Sequence, residues 1–434
     1  MKKYLIVYNK IKSDILNGYL KYKTLIPSIR HSESLFGYSK TTIERAYDQL
    51  LADGYIIGVP GKGYFVDVKP ESIKVRKNAH GIIDKQIECN YMYDFRIHSV
   101  STGSFDVDLW KRYLKESFRD ESLIASYGDA QGEYSLRYAL CDYLYRNRGV
   151  SSNPEHILIG PSFQTLLFMT CSLLDANSRI GLEQSTSKEV LRVFESYGFE
   201  CVLLSKEHYL EDLKEAAIDI LYINTACFGK DMKPIDRTMR DQIIDCSIQR
   251  SFLILEDDYN GELTYVSQPR QALFSYSTED NVIYFGSFSR LLVPSIRLSY
   301  VVMNEELKHW YDLYRDSFSP NASRFEQIAL EKYIENGYLE KRLRKLKKEY
   351  AQKQEFMKEI LLRYIPNFKL MEAYLCFTID THGIDEDKFQ QLCQSASIGI
   401  DKIIDHQLRL SFATMDPSKM EAGISLLVKC IKQC

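Results

Sequence analysis

The sequence predicts an α/β protein in two parts, a small head of three helices and a hairpin and a large body built around a mostly parallel sheet. Three observations lead to this prediction. The chain has 434 residues, more than one ordinary compact core holds. Helical periodicity in the first 68 residues gives way to two short β-like runs. From residue 157 onward, short apolar runs alternate with helical stretches, which is typical of βα units and a sheet covered on both faces.

Composition limits the class of protein further. Apolar residues make up 45% and charged residues 26% of the chain, which is typical of a folded globular protein rather than a disordered one. The apolar stretch near the start is interrupted by Lys10 and Lys12, so we expect neither a secretory signal nor a membrane anchor. Ten cysteines without a C-x-x-C pair indicate neither a zinc site nor a disulfide scaffold. We therefore expect a cytoplasmic protein without a metal.

Charge is distributed unevenly along the chain. Residues 1–90 contain 15 Lys and Arg against 9 Asp and Glu, whereas residues 91–434 contain 41 against 50. A basic head thus precedes an acidic body. This asymmetry favours an anionic partner for the head, although a mild lysine excess is also common on solvated surfaces.

The head is predicted to be a winged helix-turn-helix over residues 1–68. Helices are expected over 5–16 and 28–36, and a third begins after Ser39, an N-cap residue, and ends before Gly54. The third helix has one apolar face and one polar face, the latter with Lys40, Thr41, Glu44 and Arg45. Apolar runs at 55–57 and 64–66 flank a Gly-rich basic turn, which predicts a hairpin.

Several of these segments keep the order and spacing of a known head. Residues 26–30 (IPSIR), 39–43 (SKTTI), 46–47, 50, 54–55 and 61–66 (GKGYFV) resemble the DNA-binding domain of GntR-type bacterial regulators. The resemblance implies DNA contacts by Arg30, Ser39, Lys40, Thr41, Thr42, Lys62 and Gly63. Lys40 stands where the family often has arginine, so a phosphate contact is favoured there over bidentate reading of guanine. The alternative is that these are ordinary surface residues of a three-helix bundle.

The rest of the chain divides into a linker and a body. Residues 69–90 are polar and basic without a sustained period, which predicts a linker, and the body is expected over 91–434. A long charged helical region over 324–364 is followed by two short strands near 375–379 and 408–412. These predict a small C-terminal α/β lobe.

Two motifs in the body resemble a cofactor site. Residues 255–262 (LEDDYNGE) and 286–290 (GSFSR), followed by Arg297, resemble the fold-type I aminotransferases, and the whole chain resembles the MocR/GabR regulators. The resemblance implies that Asp257 faces the ring nitrogen and Tyr259 the 3′-oxygen of pyridoxal phosphate (PLP). It also implies that the cofactor phosphate is held by Ser162, Ser287, Ser289 and Arg297.

The sequence departs from this family at the position that matters most for catalysis. Arg290 occupies the place of the lysine that forms the Schiff base, and a guanidinium, always protonated, cannot supply the neutral amine required. Pro161 removes one N–H from the phosphate loop, and residues 183–187 lack the aromatic that stacks on the ring. We therefore expect no catalytic residue and no transaminase activity, and PLP bound only non-covalently if at all.

The remaining polar residues still predict a ligand pocket. Residues 408–413 (LRLSFA) resemble the strand in which Arg409 grips an amino-acid carboxylate. One hypothesis is a small anionic effector, with Arg290 as part of the cofactor site; the alternative is that Arg290 only forms an ion pair with Asp257. The leading interpretation is a homodimeric regulator that binds a double-stranded operator. The alternatives are a PLP-dependent aminotransferase and a pseudo-enzyme dimer scaffold.

Overall fold

The computed structural model describes residues 2–68, 91–97, 103, 105–205, 207–229, 232–259, 261–263, 271–366, 370–373, 375–404 and 406–434. The predicted linker, 69–90, lies outside the described residues. Contacts between Cα atoms divide the chain into two compact units, Met1–Glu88 and Cys89–Cys434. Within the described ranges, no helix has both the length and the apolar character that a bilayer crossing requires.

The first unit has the predicted three helices and hairpin. Its elements are α1 (Lys3–Leu16), α2 (Ile29–Phe36), α3 (Lys40–Ala52), β1 (Ile56–Val59) and β2 (Gly63–Val66), with the two strands antiparallel. The apolar positions of α3 at i, i+3, i+4 and i+7 are all buried, and they pack against the apolar face of α1. The helical period read from the sequence is therefore confirmed.

The second unit opens with a short strand and is built around a seven-stranded sheet. The opening strand is β3 (Tyr93–Asp94), and the sheet contains β4 (Ile157–Gly160), β5 (Arg179–Glu183), β6 (Glu200–Leu204), β7 (Ile220–Asn224), β8 (Leu253–Asp257), β9 (Val282–Ser287) and β10 (Ser299–Val302). The strand order is β4-β10-β9-β8-β7-β5-β6. Strands β9, β8, β7, β5 and β6 are parallel, whereas β10 is antiparallel to both of its neighbours. The sheet is therefore mostly parallel, as predicted.

Helices cover both faces of this sheet. The helices of this unit before residue 324 are α4 (Val107–Ser117), α5 (Glu121–Ile124), α6 (Tyr134–Arg148), α7 (Phe163–Leu173), α8 (Lys188–Ser196), α9 (Tyr209–Glu215), α10 (Arg237–Arg250) and α11 (Glu305–Leu313), with 3-10 turns at Pro154–His156, Gly261–Leu263, Leu273–Tyr276 and Arg315–Ser317. Neighbouring strand residues belong to different core clusters: Ile157 and Ile159 to one, Leu158 to another. Burial on both faces explains why the strands read as continuous apolar runs.

The C-terminal part forms the small lobe. The predicted helical region 324–364 is two helices, α12 (Arg324–Glu335) and α13 (Tyr338–Tyr364), because Gly337 between them is left-handed, with φ of 70°. An antiparallel sheet follows, with β11 (Leu370–Ala373), β12 (Cys376–Asp380) and β14 (Gln407–Ser411). Strand β13 (Ile398–Gly399) pairs with β3, and α14 (Glu386–Ser395) and α15 (Pro417–Ile431) complete the lobe.

Candidate functional site

A buried tyrosine on α3 fixes that helix against α2. Tyr47 is fully buried, and its hydroxyl donates to the carbonyl oxygen of Pro27 at 2.6 Å and lies 2.9 Å from the Ser32 hydroxyl on α2. These two hydrogen bonds join the core of α3 to the start and middle of α2. The helix pair therefore holds the N-terminus of α3 at the surface.

The predicted DNA-contact residues of α2 and α3 lie at the surface of the head. Arg30, Ser39, Lys40 and Thr41 are exposed and Thr42 is half-buried. Ser39 occupies the N-cap position, as predicted, but its hydroxyl bonds the hydroxyls of Thr41 (3.2 Å) and Thr42 (3.0 Å) instead of a main-chain N–H. Three hydroxyls thus lie at the N-terminus of α3, where the Thr42 N–H donates to the Ser39 carbonyl at 2.9 Å. Hydroxyls at a helix N-terminus suit a phosphate.

The predicted wing is the turn between β1 and β2. Lys62 is exposed there, and its main-chain N–H donates to the carbonyl of Val59 at 3.0 Å. Gly61 and Gly63 have φ of 73° and 103°, conformations that side chains rarely adopt. The glycines of the basic turn are therefore required by its geometry, and Lys62 projects from its tip.

In the body, Asp257 lies at the carboxyl end of β8, beside Asn224 at the end of β7. Its Oδ2 accepts hydrogen bonds from the Tyr222 hydroxyl at 2.7 Å and Asn224 Nδ2 at 3.1 Å, and its Oδ1 accepts from the main-chain N–H of Tyr259 at 3.0 Å. Burial raises the pKa of Asp257 to about 6, although these hydrogen bonds oppose the rise. The carboxylate is thus fixed in place by neutral donors.

Asp258 has a different role from its neighbour. The Arg148 guanidinium grips it through Nε (2.6 Å) and Nη2 (2.9 Å), and the Tyr284 hydroxyl donates to it at 2.8 Å. Both charged side chains are almost completely buried. Because successive strand residues point to opposite faces, only one carboxylate of the pair can take the role assigned to Asp257. Asp258 instead helps to anchor the strand end.

Arg290 lies across the same part of the site. Its Nε donates to the Tyr259 hydroxyl at 2.9 Å, its Nη2 donates to the carbonyl of Ile97 at 2.7 Å, and its guanidinium carbon is 5.3 Å from the centre of the Tyr259 ring. The Arg290 guanidinium therefore lies against Tyr259 and the carbonyl of Ile97.

A buried arginine holds the turn that carries Arg290. Arg342 on α13 is 2% exposed and donates to the main-chain carbonyls of Leu291 and, at 2.7 Å, Leu292. A guanidinium with several donors can satisfy both carbonyls at once, so the turn after Arg290 is fixed from behind.

Arg409 approaches the site from the small lobe. It lies on β14 opposite Thr378 and is half-buried. Burial raises the pKa of the nearby Cys376 thiol to about 12, and the positive charges of Arg409 and Arg290 both oppose that rise. Two guanidinium groups from different parts of the body therefore lie close enough to one thiol to act on its charge.

The predicted phosphate contacts lie along three neighbouring strands. Ser299 on β10 is opposite both Gly160 on β4 and Ser287 on β9. The Ser299 hydroxyl donates to that of Ser287 at 3.0 Å, and the main-chain N–H of Ser289 donates to the same oxygen at 3.3 Å. The structure thus brings Ser287 and Ser289 together.

The other two predicted phosphate contacts are placed by local geometry. Ser162 caps α7, where its hydroxyl accepts from the main-chain N–H of Thr165 at 3.1 Å. The pairing of β9 and β10 continues through the N–H of Phe288 and the carbonyl of Leu298 (3.1 Å), so Arg297 lies level with Ser289 along the strands. Arg297 is exposed, and within the described part of the chain it has no hydrogen bond or ion pair.

Several side chains of the site match what PLP requires. A buried carboxylate suits a protonated ring nitrogen, and serine hydroxyls with a helix N-terminus suit a phosphate. Position 290 offers a guanidinium in place of an amine. The chemistry of the site therefore fits the ring nitrogen and the phosphate of the cofactor. Among the described residues, no group of three His, Cys, Asp or Glu is placed to hold a metal ion.

Sequence reasoning missed several residues of this site. Tyr222 and Asn224 hold Asp257, the carbonyl of Ile97 accepts from Arg290, and the charges of the arginines reach the Cys376 thiol. Only Asn224 carried a signal, because it is the last residue of a strand that neighbours β8. Ile97 and Cys376 are apolar or neutral residues far away in sequence, and nothing in their immediate surroundings indicates a role.

Family models match both units. Residues 99–427 match the family "Aminotransferase class I and II", and residues 3–66 match "Bacterial regulatory proteins, gntR family". The chain is 29% identical over 370 residues to the "Uncharacterized HTH-type transcriptional regulator YdeL" of Bacillus subtilis, covering 83% of this chain and 79% of that protein. It is 23% identical to the "Probable rhizopine catabolism regulatory protein MocR" of Rhizobium meliloti, covering 97% of this chain and 92% of that protein.

Solved structures show the same fold for the body. An archaeal alanine:glyoxylate aminotransferase matches with a TM-score of 0.70 at 18% identity, covering 79% of this chain and 91% of that chain. The kynurenine aminotransferase of Pyrococcus horikoshii matches with a TM-score of 0.68 at 21% identity, with 79% and 91% covered. These likenesses confirm the predicted fold-type I body. The chain belongs to the class I and II aminotransferase family and, through its gntR-family head, is a DNA-binding regulator of the MocR/GabR type.

Proposed function

We propose that this regulator binds its operator through the head and senses a small anionic ligand, or non-covalent PLP, in a catalytically inactive body. The observation that carries the proposal is the placement of Arg290, whose guanidinium lies between Tyr259 and Ile97 at the position of the family's lysine. A guanidinium stays protonated at all accessible pH values and cannot serve as the amine that transamination requires.

The ligand is proposed to be anionic because of the two arginines. The charges of Arg290 and Arg409 both reach the buried Cys376 thiol, so we infer that an anion on this side of the site would be attracted by both. A guanidinium forms two parallel hydrogen bonds with a carboxylate. Asp257 carries the opposite charge on the ring side. A ligand with a carboxylate or phosphate at one end and a cationic ring nitrogen at the other satisfies both ends.

For PLP itself, each contact can be assigned to a residue of this chain. Asp257 would hold the ring nitrogen and Tyr259 the 3′-oxygen, while Ser162, Ser287, Ser289 and Arg297 would hold the phosphate. PLP supplies an electron sink when it is bound in an enzyme. In this chain the residues bind and orient the group, and none of the assigned residues supplies an amine.

The head is proposed to contact DNA through Arg30, Ser39, Lys40, Thr41, Thr42, Lys62 and Gly63. Support comes from their exposure and from the hydroxyl cluster at the start of α3. Lys40 lies 3.6 Å from Glu44, an exposed pair that is weak enough to open for a phosphate. We also propose a cytoplasmic protein with a head over 1–68, a linker over 69–90 and a body over 91–434.

A homodimer is proposed for the body. Large apolar side chains remain exposed along one segment, which is typical of a surface that another chain covers. They are Phe118, Ile124, Tyr127, Tyr134, Tyr138 and Tyr145. Sedimentation of the purified chain should give twice the monomer mass, and Tyr127→Asp should shift the equilibrium toward the monomer.

The test of ligand sensing is calorimetric titration of ligand-free protein with PLP, repeated on Arg290→Lys while visible absorbance is recorded. Saturable binding without a new absorbance band in the parent, and with one in the variant, supports a non-covalent site. If neither protein binds PLP, the ligand is another small anion. Once an effector is known, Arg409→Ala should abolish its effect on binding of DNA from the region flanking the gene, while leaving DNA affinity intact. An unchanged effector response in that variant contradicts the assignment of Arg409.

A further inference from the structure

Helix α13 contains an unusually basic run. Residues 341–348 read KRLRKLKK, with six cationic side chains in eight residues. The run lies in the body, where acidic residues outnumber basic ones. It belongs neither to the proposed effector pocket nor to the head.

Two of the six cations are turned inward and have structural partners. Arg342 is buried and holds the carbonyls of Leu291 and Leu292. Lys347 is half-buried, and burial lowers its pKa although the nearby Glu262 carboxylate opposes this. These two side chains therefore belong to the packing of the body.

The other four cations, Lys341, Arg344, Lys345 and Lys348, are exposed, and we call them the basic stripe. At about 100° per residue they fall within an arc of about 100°, and at 1.5 Å per residue they span roughly 10 Å of the helix. Within the described parts of the chain, no carboxylate forms an ion pair with any of the four. The neighbouring Glu349 is paired with Lys353 at 2.7 Å.

We propose that the basic stripe binds the phosphate backbone of double-stranded DNA, as a second contact beyond that made by the head. The choice of duplex DNA as the partner rests on charge complementarity. Duplex DNA carries about one negative charge per 1.7 Å, so roughly 10 Å of duplex presents about six phosphates to four unpaired cations. The chain already brings DNA to the molecule through its head, and Lys and Arg on a regular helix face read no base sequence.

The first test measures DNA affinity as a function of salt with full-length protein and a mixed-sequence 60-base-pair duplex. Each phosphate contact contributes about 0.9 to the slope of log affinity against log salt, so Lys345→Gln with Lys348→Gln should reduce the slope by about 1.8. The matched control is Lys188→Gln with Arg192→Gln on α8, which also removes two exposed cations from one helix, here four residues apart instead of three. The control slope should equal that of the parent.

Two results of this experiment overturn the proposal. An unchanged slope in the stripe variant shows that these lysines do not meet DNA. An equal decrease in both variants shows a general effect of net charge and no local contact. Circular dichroism of each variant shows whether it is folded.

A second test needs no substitution. Lysine acetylation of the full-length protein, mapped by mass spectrometry with and without the same duplex, should show Lys345 and Lys348 protected by DNA and Lys188 unprotected. Equal labelling of all three with and without DNA contradicts the proposal. Protection by vesicles of anionic lipid and none by DNA would identify the stripe as a membrane contact and likewise refute it.

Discussion

The pKa of Asp257 predicts how PLP affinity depends on pH. With a pKa of about 6, the carboxyl is ionised in about one molecule in eleven at pH 5 and in about ten of eleven at pH 7. Only the ionised form attracts a protonated ring nitrogen. Affinity for PLP should therefore rise about tenfold, or about 1.4 kcal/mol, from this residue alone between pH 5 and pH 7, and level off above.

The measurement is calorimetric titration with PLP at pH 5, 6, 7 and 8 for the parent and for Asp257→Asn. The variant is needed because a phosphate monoester itself titrates near pH 6, and that change affects both proteins equally. The ratio of parent to variant affinity should rise about tenfold across the range. A ratio that does not change with pH would refute the assignment of Asp257 to the ring nitrogen.

The same carboxyl affects the stability of the ligand-free protein. Burial on folding raises its pKa from the ordinary value of 3.8 to about 6, so the cost of ionising it is absent below about pH 4 and complete above pH 6. This residue should therefore remove about 3 kcal/mol of stability as pH rises through that window. In urea unfolding, the parent should lose about 1.3 kcal/mol more stability than Asp257→Asn between pH 5 and pH 7, the part of the effect that falls in this interval.

Two further predictions concern the framework of the site. Arg148→Met leaves the Asp258 carboxylate buried without its guanidinium and should cost about 3–5 kcal/mol in urea unfolding; a loss below about 1 kcal/mol would show that the pair is not buried as described. In Gly286→Ala the added methyl would lie 2.2 Å from the Tyr300 ring, so the variant should lose about 1–3 kcal/mol or more, or fail to accumulate. Unaltered unfolding of that variant would mean that β9 and β10 are not paired in this register.

Much of the fold follows from local sequence patterns. The helical period of α3 and the apolar runs of the strands follow directly from burial, because the faces that meet the core are the ones that carry apolar residues. The break at Gly337 was missed although Asn336 and Gly337 are a local turn signal, because the charged helical pattern continues on both sides of them. The antiparallel direction of β10 was also not predicted, because an apolar run has the same pattern in both directions.

The site is less accessible from sequence because its residues meet only in the folded chain. The two adjacent aspartates have equivalent chemistry in the sequence, and only the fold shows that Asp258 pairs with a buried arginine 110 positions earlier. The contacts of Arg290 were likewise unforeseen. Its partners are a phenol that was predicted to face the cofactor and the main-chain carbonyl of Ile97, which has no sequence signal.

Whether the body forms a Schiff base with PLP is tested most directly by reductive trapping with borohydride after incubation with PLP, followed by peptide mass mapping. We expect no stoichiometric phosphopyridoxyl adduct on any peptide of the parent body, and a stoichiometric adduct at position 290 in Arg290→Lys. A stoichiometric adduct on a lysine of the parent body, accompanied by amino transfer to a keto acid, would contradict this expectation.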